Sequence, residues 1–236
     1  MLKPLTSPKA VALLSGGLDS VVSFKKALDE GEILLALTFD YHQRSAAKEV
    51  ESAQKVCKRY NVPHRTIELP WLAEIGKGAL VNSKEALPQI QPEELNHLKT
   101  TQETAKKVWV SNRNGVLIEI AAAFAESLHA NCVVTGFNAE EAATFPDNTE
   151  EYCKAITQAL RHSTSNQVQV LSYTQHLMKK QIVELGIQIQ APLDLIWSCY
   201  EGREKMCGLC ESCQRAKRAF LQAGHLHSIQ NHFQTL

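Results

Sequence analysis

VALLSGGLDS, residues Val11–Ser20, is the stretch that decides the fold of this chain. Its apolar run is too short for a helix and is typical of a buried strand, while its two glycines permit a tight turn. Asp19 and Ser20 then stand where a helix would begin. Backbone N–H groups that are unpaired at such a helix start, beside glycines without side chains, form a concavity that suits phosphate. The stretch therefore predicts a strand, an anion-binding loop and a helix.

The loop matches neither of the two common phosphate-binding motifs. No lysine follows the glycines as in G-x-x-x-x-G-K-[ST], and the third glycine of G-x-G-x-x-G is missing. What remains, S-G-G-x-D-S, resembles the pyrophosphate loop (PP-loop) of the ATP-pyrophosphatase family, whose members cleave ATP between its α and β phosphates and adenylate a substrate. An ordinary Gly-Gly turn is the alternative. The resemblance implies Mg²⁺ placement by Asp19 and ATP binding by Leu14, Ser15, Gly16, Gly17, Leu18, Asp19 and Ser20.

The composition is that of a globular protein with one large domain. The chain has 236 residues, of which 44% are hydrophobic and 21% are charged, enough for one sizeable core but hardly for two complete domains. Lys plus Arg and Asp plus Glu are equal, at 25 each. The net charge is therefore zero and does not favour binding to nucleic acid, so a small-molecule substrate is expected. No signal peptide or membrane-length apolar stretch is evident, so we expect a cytoplasmic location.

Short apolar strands and amphipathic helices alternate along the chain. Further strands are predicted at 33–39, 65–69, 132–136 and 168–171, and helices at 46–60, 115–130, 149–162, 174–186 and 211–222. This alternation implies right-handed βαβ crossovers, so we predict an α/β fold with a Rossmann-like parallel sheet. Residues 1–190 are assigned to that domain and 191–236 to a C-terminal segment packed on it. The polar stretch 71–107 is predicted to be a partly helical insertion, either a lid or merely a variable segment.

Polar side chains follow several predicted strands, at the edge where open parallel sheets bind their ligands. Each has an ordinary alternative: a solvated turn after the second strand, a helix cap at Asn114, a solvated acidic loop at 137–147, and a surface lysine at 179. The candidate site residues are Gln43, Arg44, Arg113, Asn114, Asn138, Asp147 and Lys179.

Four of the seven cysteines form a compact cluster with the spacing C-x7-C-x2-C-x2-C, namely Cys199, Cys207, Cys210 and Cys213. Two-residue gaps let consecutive thiolates bind one ion, and four thiolates fill the coordination sphere of Zn²⁺ without leaving a position for a catalytic water. A structural zinc site is therefore predicted. An iron–sulfur cluster has the same ligand count and is the alternative.

The cysteine segment and the loop together resemble one family, the 7-cyano-7-deazaguanine synthase (QueC) family of PP-loop enzymes. The resemblance includes Trp197-Ser198-Cys199-Tyr200, Cys207-Gly208-x-Cys210-x-x-Cys213, Tyr41-x-Gln43-Arg44, Asn112-Arg113-Asn114, Gly136-x-Asn138, Phe145-Pro146-Asp147 and Lys179-x-x-Ile182. This chain departs from the family at Ser111-Asn112, where many members have Pro-Gly. It also has Thr149 where many have an arginine, which leaves open how the substrate carboxylate or base is held.

The resemblance implies an adenine nucleotide alpha-hydrolase (HUP-like) fold and the conversion of 7-carboxy-7-deazaguanine, ATP and ammonia to the nitrile, on a route to deazaguanine-modified tRNA. One ATP would activate the acid and a second the amide. Asp19, Arg113 and Lys179 would be catalytic, with Mg²⁺ accompanying ATP. The family also implies a homodimer, and the balanced charge gives no reason to expect direct contact with nucleic acid. Substrate contacts are predicted for Gln43, Arg44, Asn114, Asn138 and Asp147.

Other functions are compatible with the same loop. A paralogue would pass the adenylated acid to a different amine, and a tRNA-thiolating PP-loop enzyme would need a carrier cysteine or an iron–sulfur cluster. A nucleotide-binding module would bind ATP without cleaving it. The acceptor amine, the metal content and ATP cleavage distinguish these functions.

Overall fold

Five short apolar strands form one parallel sheet in the computed structural model, which describes residues 7–235. The sheet order is β3-β2-β1-β4-β5, and every neighbouring pair is parallel. This confirms the predicted α/β fold with a Rossmann-like sheet. The outer limits of the two predicted segments, 1 and 236, lie outside the described residues. The strands are β1 (Lys9–Leu13), β2 (Glu32–Asp40), β3 (His64–Glu68), β4 (Cys132–Thr135) and β5 (Gln169–Ser172).

Helices cover both faces of the sheet. They are α1 (Leu18–Glu30), α2 (Ala46–Tyr60), α3 (Trp71–Ile75), α4 (Leu98–Val108), α5 (Arg113–Ser127), α6 (Ala139–Ala142), α7 (Glu150–Ser163), α8 (Lys179–Gln188) and α9 (Glu211–Gln222). Short 3₁₀ turns lie at Pro92–Asn96, Pro146–Asn148, Leu193–Leu195, Leu226–Ser228 and Gln230–His232. The insertion 71–107 is thus partly helical, as predicted. In the part of the chain that the structure describes, no helix is both long and apolar enough to cross a membrane.

Successive side chains of β1 point to opposite faces of the sheet and enter different cores. Ala10 and Ala12 belong to one buried cluster, which also contains Phe24 of α1 and Phe220 of α9, whereas Val11 belongs to the other cluster. This alternation is the period of two that a strand buried on both faces requires. Because α9 shares the first cluster with α1, the C-terminal segment packs against the sheet domain through a common core.

The strand order reverses between β1 and β4, which places a crevice at the carboxyl ends of these two neighbouring strands. The residues between β1 and α1 lie at this switch point. The predicted phosphate loop therefore lies where an open α/β sheet binds its ligand.

Two of the predicted helices, 115–130 and 174–186, had boundaries that were wrong by two or more residues. Helix α8 begins at Lys179 rather than at 174, because the preceding side chains are held by distant backbone: the Thr174 hydroxyl donates to Phe137 O (2.7 Å) and the Gln175 amide donates to Asn148 O (2.8 Å). Helix α5 begins at Arg113 and ends at Ser127, since His129 adopts a left-handed conformation (φ 56°) that a helix cannot continue through. Lys179 and Arg113 are consequently each the first residue of a helix.

Candidate functional site

Two glycines let the loop and its neighbours approach one another closely. Gly16 has φ 76°, a left-handed conformation, and a Cβ there would lie 2.5 Å from Ser52 Oγ of α2. At the end of β4, a Cβ on Gly136 would lie 2.6 Å from the backbone nitrogen of Ser20. Any side chain at either position would push the loop away from α2 or separate β4 from the start of α1.

The start of α1 is free to bind an anion. Gly17 occupies the N-cap position and, within the described chain, no side chain caps the helix. The hydroxyls of Ser15 and Ser20 lie 3.1 Å apart, and Ser20 Oγ also donates to Gly17 O at 3.0 Å. Unpaired N–H groups of the first turn and two adjacent hydroxyls form a cradle of donors that suits phosphate oxygens.

A cavity of about 250 Å³ lies over the carboxyl ends of β2, β1 and β4. Helix starts contribute charged groups to it, and the C-terminal segment contributes a wall from Trp197 to Tyr200. The predicted residues that line it are Leu14, Ser15, Gly17, Leu18, Asp19, Ser20, Arg113, Asn114 and Lys179. Residues distant in sequence thus meet in one crevice.

Lys179 lies between two carboxylates at the loop. Its Nζ is 2.5 Å from Asp19 Oδ2 and 2.6 Å from Glu141 Oε1. Burial opposes its charge, but the two carboxylates raise the Lys179 pKa above its ordinary value. Burial raises the pKa of Asp19 from 3.8 to about 6, although Lys179 lowers it, and Glu141 adds to the rise. The site therefore holds more negative charge than its single lysine neutralises.

The donor set around Asp19 fits a magnesium ion. Asp19 Oδ1 is buried and has no hydrogen-bond partner in the described residues, and the second carboxylate, Glu141, shares the same lysine. Carboxylate oxygens are the protein ligands that Mg²⁺ takes when it also binds nucleotide phosphates. An orphaned carboxylate oxygen beside a phosphate cradle is the place where such an ion would be needed.

Arg113, on the first turn of α5, extends over the end of β2. Its Nη1 donates to Tyr41 Oη at 3.1 Å and its Nε donates to Asn114 Oδ1 at 3.3 Å. The Tyr41 pKa is raised, because burial of the phenol outweighs the nearby guanidinium. Arg113 thus brings a fixed positive charge to the cavity wall away from Lys179. Asn114 lies in α5 rather than capping it.

Glu49 is a cavity residue that sequence reasoning missed. It lies in the first turn of α2, and its carboxylate accepts hydrogen bonds from Ser45 Oγ at 2.6 Å and from Gln43 Nε2 at 2.9 Å. Burial raises its pKa above the ordinary value. The sequence shows only that it lies five residues after Arg44. Nothing in the sequence distinguishes it from the other acidic residues of an amphipathic helix.

Gln43 and Arg44 do not line the cavity. In addition to its hydrogen bond to Glu49, the side-chain amide of Gln43 accepts a hydrogen bond from Tyr41 N (2.9 Å) and donates one to Phe39 O (3.0 Å). The Arg44 guanidinium donates to the carbonyls of Asn82 (2.8 Å) and Glu85 in the 71–107 insertion. Both side chains support the wall from behind, and their predicted substrate contacts stay predictions.

Asn138 and Asp147 also lie outside the lining. The Asn138 oxygen accepts from the backbone N–H of Glu141 at 2.9 Å and caps α6, which fixes the carboxylate that pairs with Lys179. Asp147 accepts from Asn148 Nδ2 at 3.2 Å, and burial raises its pKa although Arg113 lowers it. Their roles as substrate contacts stay predictions.

The four predicted cysteines converge on one point. Their sulfur atoms all lie within 4.8 Å of one another, and the Sγ atoms of Cys207 and Cys213 are 3.9 Å apart. Tetrahedral zinc with Zn–S bonds of about 2.3 Å requires sulfur separations of about 3.8 Å. The cluster therefore fits a tetrahedral metal ion.

Backbone groups around the cysteines favour thiolates. Cys199 Sγ accepts from the N–H groups of Glu201 and Cys207, both at 3.3 Å, and Cys207 Sγ accepts from those of Leu209 (3.4 Å) and Cys210 (3.3 Å). Hydrogen bonds between the four thiols lower the pKa of Cys207 and raise the pKa values of Cys210 and Cys213. Donors aimed at sulfur stabilise the deprotonated form that metals bind.

The cysteine segment is tied to the phosphate loop on two sides. On one side, Trp197 N donates to Gly16 O at 2.8 Å. On the other, buried Arg215 of α9 pairs with Glu140 (2.6 Å) and Glu211 (2.7 Å), and Arg218 also pairs with Glu140 (2.6 Å). Glu140 adjoins the glutamate that pairs with Lys179, so α9 positions the acidic side of the cavity.

The family model and the similar named proteins indicate the same family for this chain. The family model described as queuosine biosynthesis protein QueC matches residues 9–224. A protein of Desulforamulus reducens named 7-cyano-7-deazaguanine synthase is 56% identical over 226 residues, covering 96% of this chain and 99% of that one. One with the same name from Bdellovibrio bacteriovorus is 50% identical, covering 91% and 94%. A solved 4-thiouridine synthetase in complex with RNA and ATP is 18% identical with a TM-score of 0.46, over 95% of this chain and 52% of that one. That last likeness is too weak to support a statement about this chain.

Proposed function

We infer the function from the premise that this chain belongs to the QueC family of queuosine biosynthesis proteins. It is an ATP-dependent enzyme, a 7-cyano-7-deazaguanine synthase. In the reaction, 7-carboxy-7-deazaguanine and ammonia give the nitrile through an adenylated acid and then an adenylated amide. The observation that carries this proposal is the cavity where the uncapped start of α1, the unpartnered oxygen of Asp19 and the charge of Lys179 meet.

The first half of the reaction makes an amide. A carboxylate oxygen of the substrate attacks the α-phosphorus of ATP and pyrophosphate leaves, which gives an acyl adenylate. Ammonia then attacks the acyl carbon, loses a proton and displaces AMP. A carboxylate is a poor electrophile until its oxygen becomes part of a good leaving group, so this activation must come first.

The second half removes the amide oxygen. That oxygen attacks the α-phosphorus of a second ATP with loss of pyrophosphate, and departure of AMP with the remaining N–H protons leaves C≡N. Both activations present the same triphosphate to the same loop. One cradle therefore serves both halves, and the overall ratio is two AMP for each nitrile.

The residues of the loop bind and orient the triphosphate. N–H groups of the first turn of α1 and the hydroxyls of Ser15 and Ser20 donate to phosphate oxygens. Lys179 and Arg113 bring positive charge towards the phosphates as the pentacovalent phosphorus develops. Asp19 and Glu141 are the residues that would hold Mg²⁺, which supplies charge neutralisation on the phosphates.

We assign zinc to the four cysteines. Four sulfur ligands leave no open position on the ion, so its role is to hold the segment that forms one wall of the cavity. Metal analysis of the purified protein tests this: about one zinc per chain is expected, whereas iron would point to a cluster and to the thiolating alternative. The homodimer and the cytoplasmic location stay predictions, of which sedimentation tests the first.

The decisive experiment is one incubation with the acid, ATP, Mg²⁺ and ammonium, followed by mass spectrometry. The expected products are the nitrile and two equivalents of AMP, with the amide appearing first. A matched incubation without ammonium should stop at the adenylate. Absence of AMP, or AMP without amide or nitrile, would refute the proposal. If no nitrile forms in this incubation but the acyl group is transferred to another amine, the protein is a paralogue with a different acceptor.

A further inference from the structure

We propose that Glu49 recognises the edge of the substrate base that carries N1–H and the 2-amino group. This inference rests on the proposed function, since it concerns the deazaguanine ring of that substrate. It makes Glu49 a specificity-determining residue and Gln43 the residue that positions it.

Both oxygens of the Glu49 carboxylate retain capacity to accept a hydrogen bond from a ligand. One oxygen accepts from Ser45 Oγ (2.6 Å) and the other from Gln43 Nε2 (2.9 Å). Each carboxylate oxygen has two lone pairs, so each retains one acceptor site. Because Glu49 lines the cavity, a bound molecule can reach these sites. The two remaining acceptor sites match in number the two donors on the N1–H and 2-amino edge of the ring.

Glu49 differs from the other two carboxylates that line the cavity. Asp19 and Glu141 both pair with Lys179, but within residues 7–235 no lysine or arginine nitrogen lies in ion-pair distance of Glu49. The Arg113 guanidinium interacts with the Glu49 carboxylate electrostatically, but among the described residues it forms no ion pair with it. A partly buried acceptor of this kind favours a ligand that brings hydrogen-bond donors rather than negative charge.

The chemistry of purine-like rings decides which base this is. A guanine-type ring presents N1–H and an amino N–H next to each other, and both donate. An adenine ring presents one amino donor beside the N1 lone pair, which a carboxylate oxygen would repel. A carboxylate with two free acceptor sites thus selects the deazaguanine over the adenine of ATP. The carboxyl group to be activated is on the five-membered ring, away from this edge, and remains free to meet the α-phosphate.

This assignment also explains Gln43. Its amide is fixed by Tyr41 N and Phe39 O at the end of β2 and donates its remaining hydrogen to Glu49. Substitution of Gln43 would leave the carboxylate in place but free to rotate. Its effect would therefore appear in recognition of the base, through Glu49, and not through a direct contact.

The test compares two substrates in two enzymes: 7-carboxy-7-deazaguanine and the analogue that lacks the 2-amino group, with wild-type protein and E49Q. Loss of one hydrogen bond to a charged acceptor costs about 10- to 100-fold, so wild type should prefer the aminated substrate by that factor in kcat/KM. In E49Q the preference should fall to within about threefold, because the ratio isolates the contact, while the KM for ATP stays unchanged.

The control variant is E51Q, which alters another glutamate of α2 that pairs with Lys48 and Lys55 and does not line the cavity, and which should keep the wild-type substrate ratio. E49D, which withdraws the carboxylate by one methylene, gives a second measurement if E49Q is unstable at the assay temperature. An unchanged ratio in both Glu49 variants, or a changed ratio in E51Q alone, would overturn the inference. The inference would also be overturned if E49Q changed only the preference for ATP over ITP, because Glu49 would then contact the adenine of the nucleotide. Inactivity of wild type on both substrates would refute the proposed function instead.

Discussion

Replacing Asp19 with asparagine should stabilise the folded protein while abolishing its activity. Asp19 is buried beside Glu141, and burial raises its pKa from 3.8 to about 6 even though Lys179 pairs with it. At neutral pH the folded protein must therefore keep a carboxylate ionised in a place that disfavours its charge. Asparagine has nearly the same shape and is never charged, so D19N removes that cost.

The magnitude follows from linkage. A group whose folded pKa is raised contributes most to stability below its unfolded pKa, and that contribution is lost as the pH rises through the folded value. The difference between 3.8 and about 6 corresponds to about 3 kcal/mol at full ionisation. About 1.4 kcal/mol of it develops between pH 5 and pH 8. For a chain of this length, about 3 kcal/mol raises Tm by about 6–12 °C.

The assay is thermal and urea unfolding of both proteins from pH 5 to pH 8, without nucleotide. D19N should be the more stable at pH 8, with an advantage that shrinks as the pH falls. D194N is the matched control, because Arg59 lowers the Asp194 pKa on the surface and removal of that charge should not stabilise. If D19N were no more stable than wild type at pH 8, or if its advantage did not vary with pH, burial would not govern Asp19. Added Mg²⁺ and ATP should stabilise wild type only.

Three further substitutions test the loop, the lysine and the cysteines. C210S should reduce bound zinc from about one per chain to a small fraction by metal analysis, and lower Tm by about 8 °C or more, corresponding to about 4 kcal/mol or more; unchanged metal content would contradict the ligand assignment. G16A should cost about 2–5 kcal/mol in urea unfolding, since its Cβ would meet Ser52 in a left-handed backbone. G16A with S52G should be less destabilised than the sum of the single variants, and simple additivity would refute the clash. K179M should lower kcat about 10²–10³-fold in an AMP-release assay, with K179R retaining more activity, and equal losses would argue against a role for charge.

The elements that sequence predicted are those whose cause is local. The loop is encoded by adjacent glycines and the four-cysteine cluster by short gaps, so both are confirmed in place. The predicted start of α8 was wrong because the chain before this helix is held by hydrogen bonds from Thr174 and Gln175 to residues far away in the sequence. Glu49 was missed for a related reason: an amphipathic pattern says which face of α2 is buried, but not that its first turn borders a cavity.

The C-terminal segment suggests what a metal ion held by the four cysteines would do for this fold. Trp197 donates to the carbonyl of Gly16, and the wall it begins continues into Cys199, the first of the four cysteines. From the last cysteines, α9 runs to Arg215, which holds the acidic loop beside Lys179. An ion bound by the cysteines would fix both ends of a segment that contacts the cradle on two sides. In the proposed reaction the cradle would serve two successive adenylations and keep its shape while amide replaces acid, so rigidity supplied from outside the loop would be of direct use to it.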